Sequence, residues 1–299
     1  MYSVKKKSNN LNKITFTSVF CYSVMVLACL SVILPFIHEF AKSLSHPFEV
    51  DTGHVVFIPK EFTLGSYKYY LEDQFEPLIR SLMNTLFLVT VGGVLSVGSI
   101  LLVAYPLSRP YREFRLGPII IYMIVFLIIF QRPIIPLRIT HQIYGTLDSL
   151  WAIIFNMLID PFMVILSITF YKNIPDDIFD AARIDGANEM KTFIEIILPL
   201  CAALIATLFL IMSIGYWNSF LQAKLLIINP EKYPIQNYIR SVMELGGGEG
   251  DVDYIRNPFS QSESIKSALL IITTVPPTIV YLSLQKYFKG GVTSGAVKG

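Results

Sequence analysis

Ser81 to Ser108 reads SLMNTLFLVTVGGVLSVGSILLVAYPLS, a run without one charged side chain. A helix needs about 20 predominantly apolar residues to cross the hydrocarbon core of a bilayer, so this stretch predicts a transmembrane helix by itself. Thr17 to Ile37 and Ile197 to Ala223 are equally free of charge, and Ser267 to Gln285 lies uncharged between Lys266 and Lys286. Leu116 to Gln131 is uncharged but shorter, and gains a turn if Arg132 snorkels to the interface. Ser149 to Tyr171 holds a single charge, Asp160. Six apolar segments predict six transmembrane helices and an all-α integral membrane protein.

The composition of the 299 residues agrees: 53% are hydrophobic and 15% charged, against about 25% charged in soluble domains. That excludes an ordinary soluble enzyme, because lipid must solvate apolar surface that water would not. A formal charge of +2 makes no case for nucleic acid. Lys5, Lys6, Lys7 and Lys13 precede the first run, which is too long for a signal peptide and lacks a small-x-small cleavage site before His38. Lys and Arg are retained on the cytoplasmic side, and the shorter connections holding Arg109, Arg112, Arg115, Lys172, Arg183 and Lys191 carry them. Both termini are therefore expected in the cytoplasm. The expected organisation is a cytoplasmic segment 1–16, a first span 17–37, an extracytoplasmic loop 38–80, a five-span core 81–285 with an extracytoplasmic loop 222–263, and a cytoplasmic tail 286–299. Cys21, Cys29 and Cys201 fall inside apolar runs without metal-ligand spacing, so neither a disulfide nor a metal is expected.

Between the fourth and fifth runs lies KNIPDDIFDAARIDGANEMKTFIEI, residues 172–196. Pro175 suits a first helical turn, Asp176 and Asp177 oppose the helix dipole, and Ile174, Ile178 and Ala182 recur at four-residue intervals. Gly186 breaks the pattern, and a second helix is expected near Asn188, with Met190, Phe193 and Ile197 on one face before Pro199. Acids outnumber bases in this stretch, which argues for a protein partner over anionic headgroups.

The stretch Asp180-Ala-Ala-Arg-Ile-Asp-Gly-Ala187, followed by Phe193 and Ile196-Ile-Leu-Pro199, resembles the EAA loop of ABC-importer permease subunits, with aspartate in place of the motif's first glutamate. Asn173-Ile-Pro, Tyr216-Trp-Asn-Ser-Phe220 and the tail Gln285-Lys-Tyr-Phe-Lys-Gly290, ending Gly295-Ala-Val-Lys-Gly299, are similar to the carbohydrate branch of that family, the MalG-like and LplC/YtcP-like permeases. The resemblance runs from about Ser81 to the C-terminus. It implies the type I importer fold in a bacterial plasma membrane, and a coupling loop, 172–199, that docks on a cytoplasmic ATPase through Asp180, Ala181, Ala182, Asp185, Gly186, Ala187, Phe193 and Pro199. It also implies a second homologous permease, two ATPase subunits that bind the ATP and Mg, an extracytoplasmic solute-binding protein, and a carbohydrate cargo. The tail, through Lys289, Gly290 and Lys298, is then expected to contact the ATPase; its composition alone reads equally as a frayed end.

No GxxxxGK[ST] occurs, and Gly246-Gly-Gly-Glu-Gly250 sits among acids that would repel phosphate, so this chain is expected to bind no cofactor and to catalyse nothing. For the pathway, Tyr216, Trp217 and Asn218 combine rings with a polar group, as sugars require, although rings at an interface also serve as membrane anchors. Asn84 and Asn156 are further candidates. Asp160 either lines the pathway or supports the bend at Pro161. Two rival readings are an ion-coupled carrier using Asp160 and an intramembrane enzyme, but neither accounts for the 172–199 loop.

Overall fold

The computed structural model describes residues 16–130, 134–245 and 262–295, and among them every regular element is helical. They belong to two compact units, one of residues 1–68 with 250–271 and one of 69–249 with 272–299.

In the first unit, α1 spans Phe16–Ser43, running past the expected end at Ile37. From Thr17 to Ile37 almost every side chain is exposed, including Phe20, Leu27 and Phe36. A helix apolar on all faces and left uncovered by the described residues suits solvation by lipid or by another subunit. Beyond it, α2 (Pro47–Asp51) packs Val50 against Ala41 and Val55. The segment 38–80, expected as an extracytoplasmic loop, contains α2 and, after it, α3 (Gly65–Glu72). Asp51 Oδ1 accepts the backbone N–H of Glu263 at 3.1 Å and fixes the start of α14, Glu263–Gly295.

The second unit is built on α4, Phe75–Ser108, a helix of 34 residues that carries one π turn, Leu88–Gly92. Helix α5 (Gly117–Ile129) follows a turn at Arg109–Leu116, then α6 (Ile134–Ile143). The run with one charge is not a straight span. It breaks into α7 (Leu150–Met157) and α8 (Pro161–Lys172), bent by 47°, because Pro161 has no N–H to continue the ladder. The next two helices, α9 (Asp176–Ile184) and α10 (Glu189–Leu200), form the loop of interest, and α10 meets α11 (Ala202–Trp217) at 80°. Short α12 (Phe220–Leu226) and α13 (Ile235–Leu245) complete the unit.

α4 packs along α8 and α11, with α5 against α8, around buried Ile100, Ala104, Ile153, Ile154, Val164 and Leu208. Gly92 and Ser96 of α4 lie close against α11. The buried Tyr216 ring lies so near Gly92 that an added Cβ would sit 2.8 Å from its Cζ, and its hydroxyl is 2.8 Å from Ser96 Oγ. Among the described residues, three helices, Thr17–Ser43 of α1, α4 and Glu263–Ser283 of α14, are each long and apolar enough to cross a membrane, and each bent pair adds one if taken as a single span. α5 has 13 residues, about 20 Å of rise, and is short for a bilayer. Arg132, Gly246 to Gly250 and Lys298 lie outside the described residues.

Candidate functional site

The 172–199 segment owes its form to three local devices. Helix α9 begins at Asp176, with Pro175 in the capping position just before it, one residue later than a proline-led first turn. Its end is a Schellman turn: Ala187 N–H donates to Ala182 O at 3.0 Å and Gly186 N–H to Arg183 O at 3.1 Å, with Gly186 at φ +74°. Asn188 then caps α10 by accepting the Lys191 N–H at 2.8 Å. The buried face of α9 is Phe179 and Ala182, with Ile174 and Ile178 half-buried. Four-residue spacing pointed to Ile174, Ile178 and Ala182, but the helix starts too late for Ile174 to share its stripe. On α10, Phe193 and Ile197 are buried and Met190 is exposed. Asp180, Ala181, Asp185, Gly186 and Pro199 are exposed, Ala187 is half-buried, and Ile184 at the corner is 86% exposed.

This corner is pinned to the end of α4. Arg183 Nη2 donates to Glu113 Oε1 at 2.6 Å and stands 3.7 Å from Glu189 Oε1, while Nη1 stands 3.7 Å from Asp180 Oδ1. Tyr105 OH donates to Glu189 Oε2 at 2.9 Å, and the Tyr105 and Phe193 rings lie 4.9 Å apart. The Arg109 guanidinium sits 3.6 Å over the Phe179 ring, a cation–π contact between the α4 terminus and α9. A cavity of about 570 Å³ opens here, lined by Tyr105, Arg109, Met190 and Phe193 among others. Tyr105 and Glu113 were not singled out from sequence, and Arg109 and Arg183 only for their charge. The partners that join them across the corner, Glu189 to Tyr105 and Glu113 to Arg183, lie 84 and 70 positions apart, and no local pattern announces them.

The pathway candidates separate. Asp160 and Asn156 line one recess of about 440 Å³ with Phe162 and Gln222. Asp160 also caps α8, its Oδ1 accepting the Met163 N–H at 3.0 Å. That capping gives the aspartate a task at the bend, and the ion-coupled reading is not favoured. Tyr216 is fully buried between helices, donating to Ile154 O at 3.3 Å, and Trp217 is 8% exposed; neither lines that recess. Asn218 Nδ2 donates to Ile214 O at 3.0 Å at the end of α11. Asn84 Nδ2 donates to the carbonyls of Glu231 and Tyr233 at 3.1 and 3.2 Å and braces a loop. Lys289 and Gly290 fall on the backbone of α14.

A second brace centres on Asp148, at φ +59°. Its carboxylate accepts the N–H groups of Asn229 at 2.8 Å and Ile228 at 2.9 Å and the Lys232 ammonium at 2.6 Å. The Asn229 bond first, then Lys232 and Ile228, hold its pKa down at about 2.

A helical membrane bundle with an exposed, glycine-cornered loop between two apolar elements is a form that suits a transport permease. Residues 102–294 match the family of binding-protein-dependent transport system inner membrane components, and the chain belongs to it. The chain is 32% identical over 280 residues to the polygalacturonan/rhamnogalacturonan transport system permease protein YtcP of Bacillus subtilis (strain 168), covering 93% of this chain and 96% of that one. It is 33% identical over 270 residues to protein LplC of the same organism, covering 89% and 90%. In the crystal structure of a bacterial ABC transporter involved in the import of the acidic polysaccharide alginate, one chain matches at TM-score 0.85 and 26% identity, covering 94% of this chain and 100% of that chain. The protein is thus a multi-pass membrane subunit of a transport complex and is not itself an enzyme.

Proposed function

We propose that this chain forms half of the translocation pathway of an ATP-driven carbohydrate importer, with an oligosaccharide as cargo, and that it works by alternating access. The observation that carries the reading is the corner at Gly186: a capped, glycine-turned helix pair with Ile184 exposed at its tip, fastened by Arg109 to the end of α4 and by Arg183 to the turn after it. Exposed backbone and an exposed apolar side chain suit a docking knob. A cytoplasmic ATPase that binds ATP and Mg pulls on this knob, and the pinned α4 carries the displacement into the bundle. Relatives named for polygalacturonan, rhamnogalacturonan and alginate support the saccharide cargo.

In this reading the chain crosses a bacterial plasma membrane six times with both ends in the cytoplasm. The bent pairs α7–α8 and α10–α11 each count as one span. A second, homologous permease supplies the other half of the pathway and covers part of the exposed apolar surface. A solute-binding protein delivers cargo to the opposite face, and the tail from Lys289 to Lys298 reaches the ATPase. The test is affinity purification of the tagged chain from its native membrane in mild detergent, followed by reconstitution in vesicles. Co-purification of an ATPase and a second permease, with saccharide uptake that requires ATP, is expected. Saccharide accumulation by the isolated chain without any ATPase would overturn the proposal.

A further inference from the structure

Helix α4 is held in both of its halves and carries a π turn between them. In the first half, Thr85 Oγ1 accepts the Ile235 N–H at 2.7 Å, Asn84 donates to the carbonyls of Glu231 and Tyr233, and the Phe87 ring meets Trp151 edge-on at 5.6 Å. At the far end, Tyr105 OH donates to Glu189 at 2.9 Å and Arg109 lies over the Phe179 ring. The first set ties α4 to the 231–235 segment and to α7, the second to the Gly186 corner. The π turn, Leu88–Gly92, separates the two. Such a turn holds one residue more than an α turn and is a place where long helices bend. A displacement of the corner, with the first half held, is taken up there. α10, the corner's own link to the bundle, carries a π turn as well, Thr192–Ile197, ahead of its 80° meeting with α11.

The packing at the turn suits movement. Gly92 and Gly93 present bare backbone to two rings of α11: a Cβ at Gly92 would stand 2.8 Å from Tyr216 Cζ, and one at Gly93 would stand 3.1 Å from Phe209 Cε2. Glycine lets helices approach this closely, and a ring slides over bare backbone where it could not pass an interlocked side chain. Tyr216 also reaches across the turn. Its hydroxyl lies 2.8 Å from Ser96 Oγ, on the corner side of the π turn, and donates to Ile154 O of α7 at 3.3 Å. One phenol thus ties the movable half of α4 to the helix that precedes the Pro161 bend.

We propose that the π turn Leu88–Gly92 is the hinge of α4 in the transport cycle and that Tyr216 is the positioning residue that sets its angle, with the ring seated on Gly92 and the hydroxyl holding Ser96 to Ile154. The inference rests on the alternating-access reading given above and adds to it where α4 bends. The half from Gly93 to Ser108 follows the corner, while the half from Phe75 to Phe87 stays with the 231–235 segment.

The test uses the complete assembly in liposomes: this chain, its partner permease, the ATPase and the binding protein. Nitroxide labels replace exposed side chains in two pairs, Ile228 with Met83 and Ile228 with Leu102, after Cys21→Ser and Cys29→Ser remove the exposed thiols. Distances are read by pulsed electron resonance without nucleotide and with ATP trapped by vanadate. A bend of about 20° displaces Leu102, about 15 Å beyond Gly92, by about 5 Å. We expect the Ile228–Leu102 distance to shift by about 3 Å or more on trapping and the Ile228–Met83 distance to hold within about 1 Å. Equal behaviour of the two pairs overturns the hinge. Deleting Thr90, an exposed residue of the turn, leaves a plain α turn and should at least halve the shift; a full shift in that variant also overturns the hinge. Tyr216→Phe keeps the ring on Gly92 and removes both hydroxyl bonds. It should broaden the nucleotide-free Ile228–Leu102 distribution and leave Ile228–Met83 sharp, and an unbroadened distribution removes Tyr216 from the role. That variant decides alone if the deletion does not assemble. Saccharide uptake by the same vesicles tests the transport reading separately: ATP-driven uptake without the shift sinks the hinge only, whereas a chain that draws no ATPase fails both.

Discussion

Arg183 Nη2 lies 2.6 Å from Glu113 Oε1, joining α9 to the turn that follows α4 across 70 residues of sequence. Both side chains are partly exposed, 45% and 35%, so water and salt screen the pair and its share of stability is small. Its consequence is mechanical, since it is one of the few polar links between the corner and α4. Glu113→Ala is expected to leave the melting temperature of the purified subunit nearly unchanged while lowering cargo-stimulated ATP hydrolysis in the assembly. The double exchange Glu113→Arg with Arg183→Glu should recover part of that stimulation. Unaltered stimulation in the single variant would remove the pair from the transmission path.

Gly92 and Gly98 lie near each other on α4 and make a controlled comparison. A Cβ at Gly92 would meet the Tyr216 ring at 2.8 Å, whereas one at Gly98 meets nothing within 4 Å. Gly92→Ala must displace a fully buried ring that is hydrogen-bonded to Ser96, with a cost of about 1–3 kcal/mol for such overpacking. Gly98→Ala should be neutral or slightly stabilising through helix propensity. Thermal unfolding of the two variants in detergent reads the difference, and equal behaviour would contradict the packing described.

Gly186 presents open space, with no atom within 4 Å of a hypothetical Cβ, but its φ of +74° penalises most side chains. Gly186→Ala should cost roughly 1–2 kcal/mol by the left-handed strain alone. Asparagine tolerates that conformation, so Gly186→Asn keeps the turn and adds bulk where a partner would dock. We expect Gly186→Asn and Gly186→Asp to insert in the membrane normally and to lose the ATPase on co-purification. Retention of the ATPase by both variants would place docking elsewhere.

Asp148 gives a pH signature. Its carboxyl is held at about 2, below the ordinary carboxylate value, by the Asn229 and Ile228 amides and by Lys232. A depressed folded-state pKa means the brace contributes stability above about pH 4 and loses it as pH falls towards 2. Asp148→Asn retains the left-handed tolerance but not the charge. The melting-temperature gap between wild type and Asp148→Asn should be constant from pH 7 to about 4 and narrow below that. A gap that does not change with acid would mean Lys232 and the two amides are not its source.

The spans were legible because hydropathy is a property of contiguous residues. Ser81–Ser108 needed no tertiary information to be read as a helix. The bend at Pro161 and the turn at Gly186 were legible for the same reason, since a missing N–H and a missing Cβ act where they stand. The buried face of α9 was read only in part. The spacing of Ile174, Ile178 and Ala182 is correct helical arithmetic, but the helix begins at Asp176, and Phe179 is buried beneath the Arg109 guanidinium, a contact no local pattern reveals. Tyr216 stood out as a ring beside polar groups, and nothing in its neighbours foretold that Gly92, more than a hundred residues earlier, leaves the space it fills.

The amino-acid order by itself determined that this protein is helical, lives in lipid and carries a glycine-cornered loop between two apolar runs, because chain-local hydropathy, proline and glycine geometry set those features. Only the packing of α4 against α8 and α11 decided that Asp160 shares a recess with Asn156 and Gln222, that Tyr216 is walled in, and that Arg183 meets Glu113. Those pairings join residues far apart in the chain, and they exist only once the helices have chosen which faces to bury.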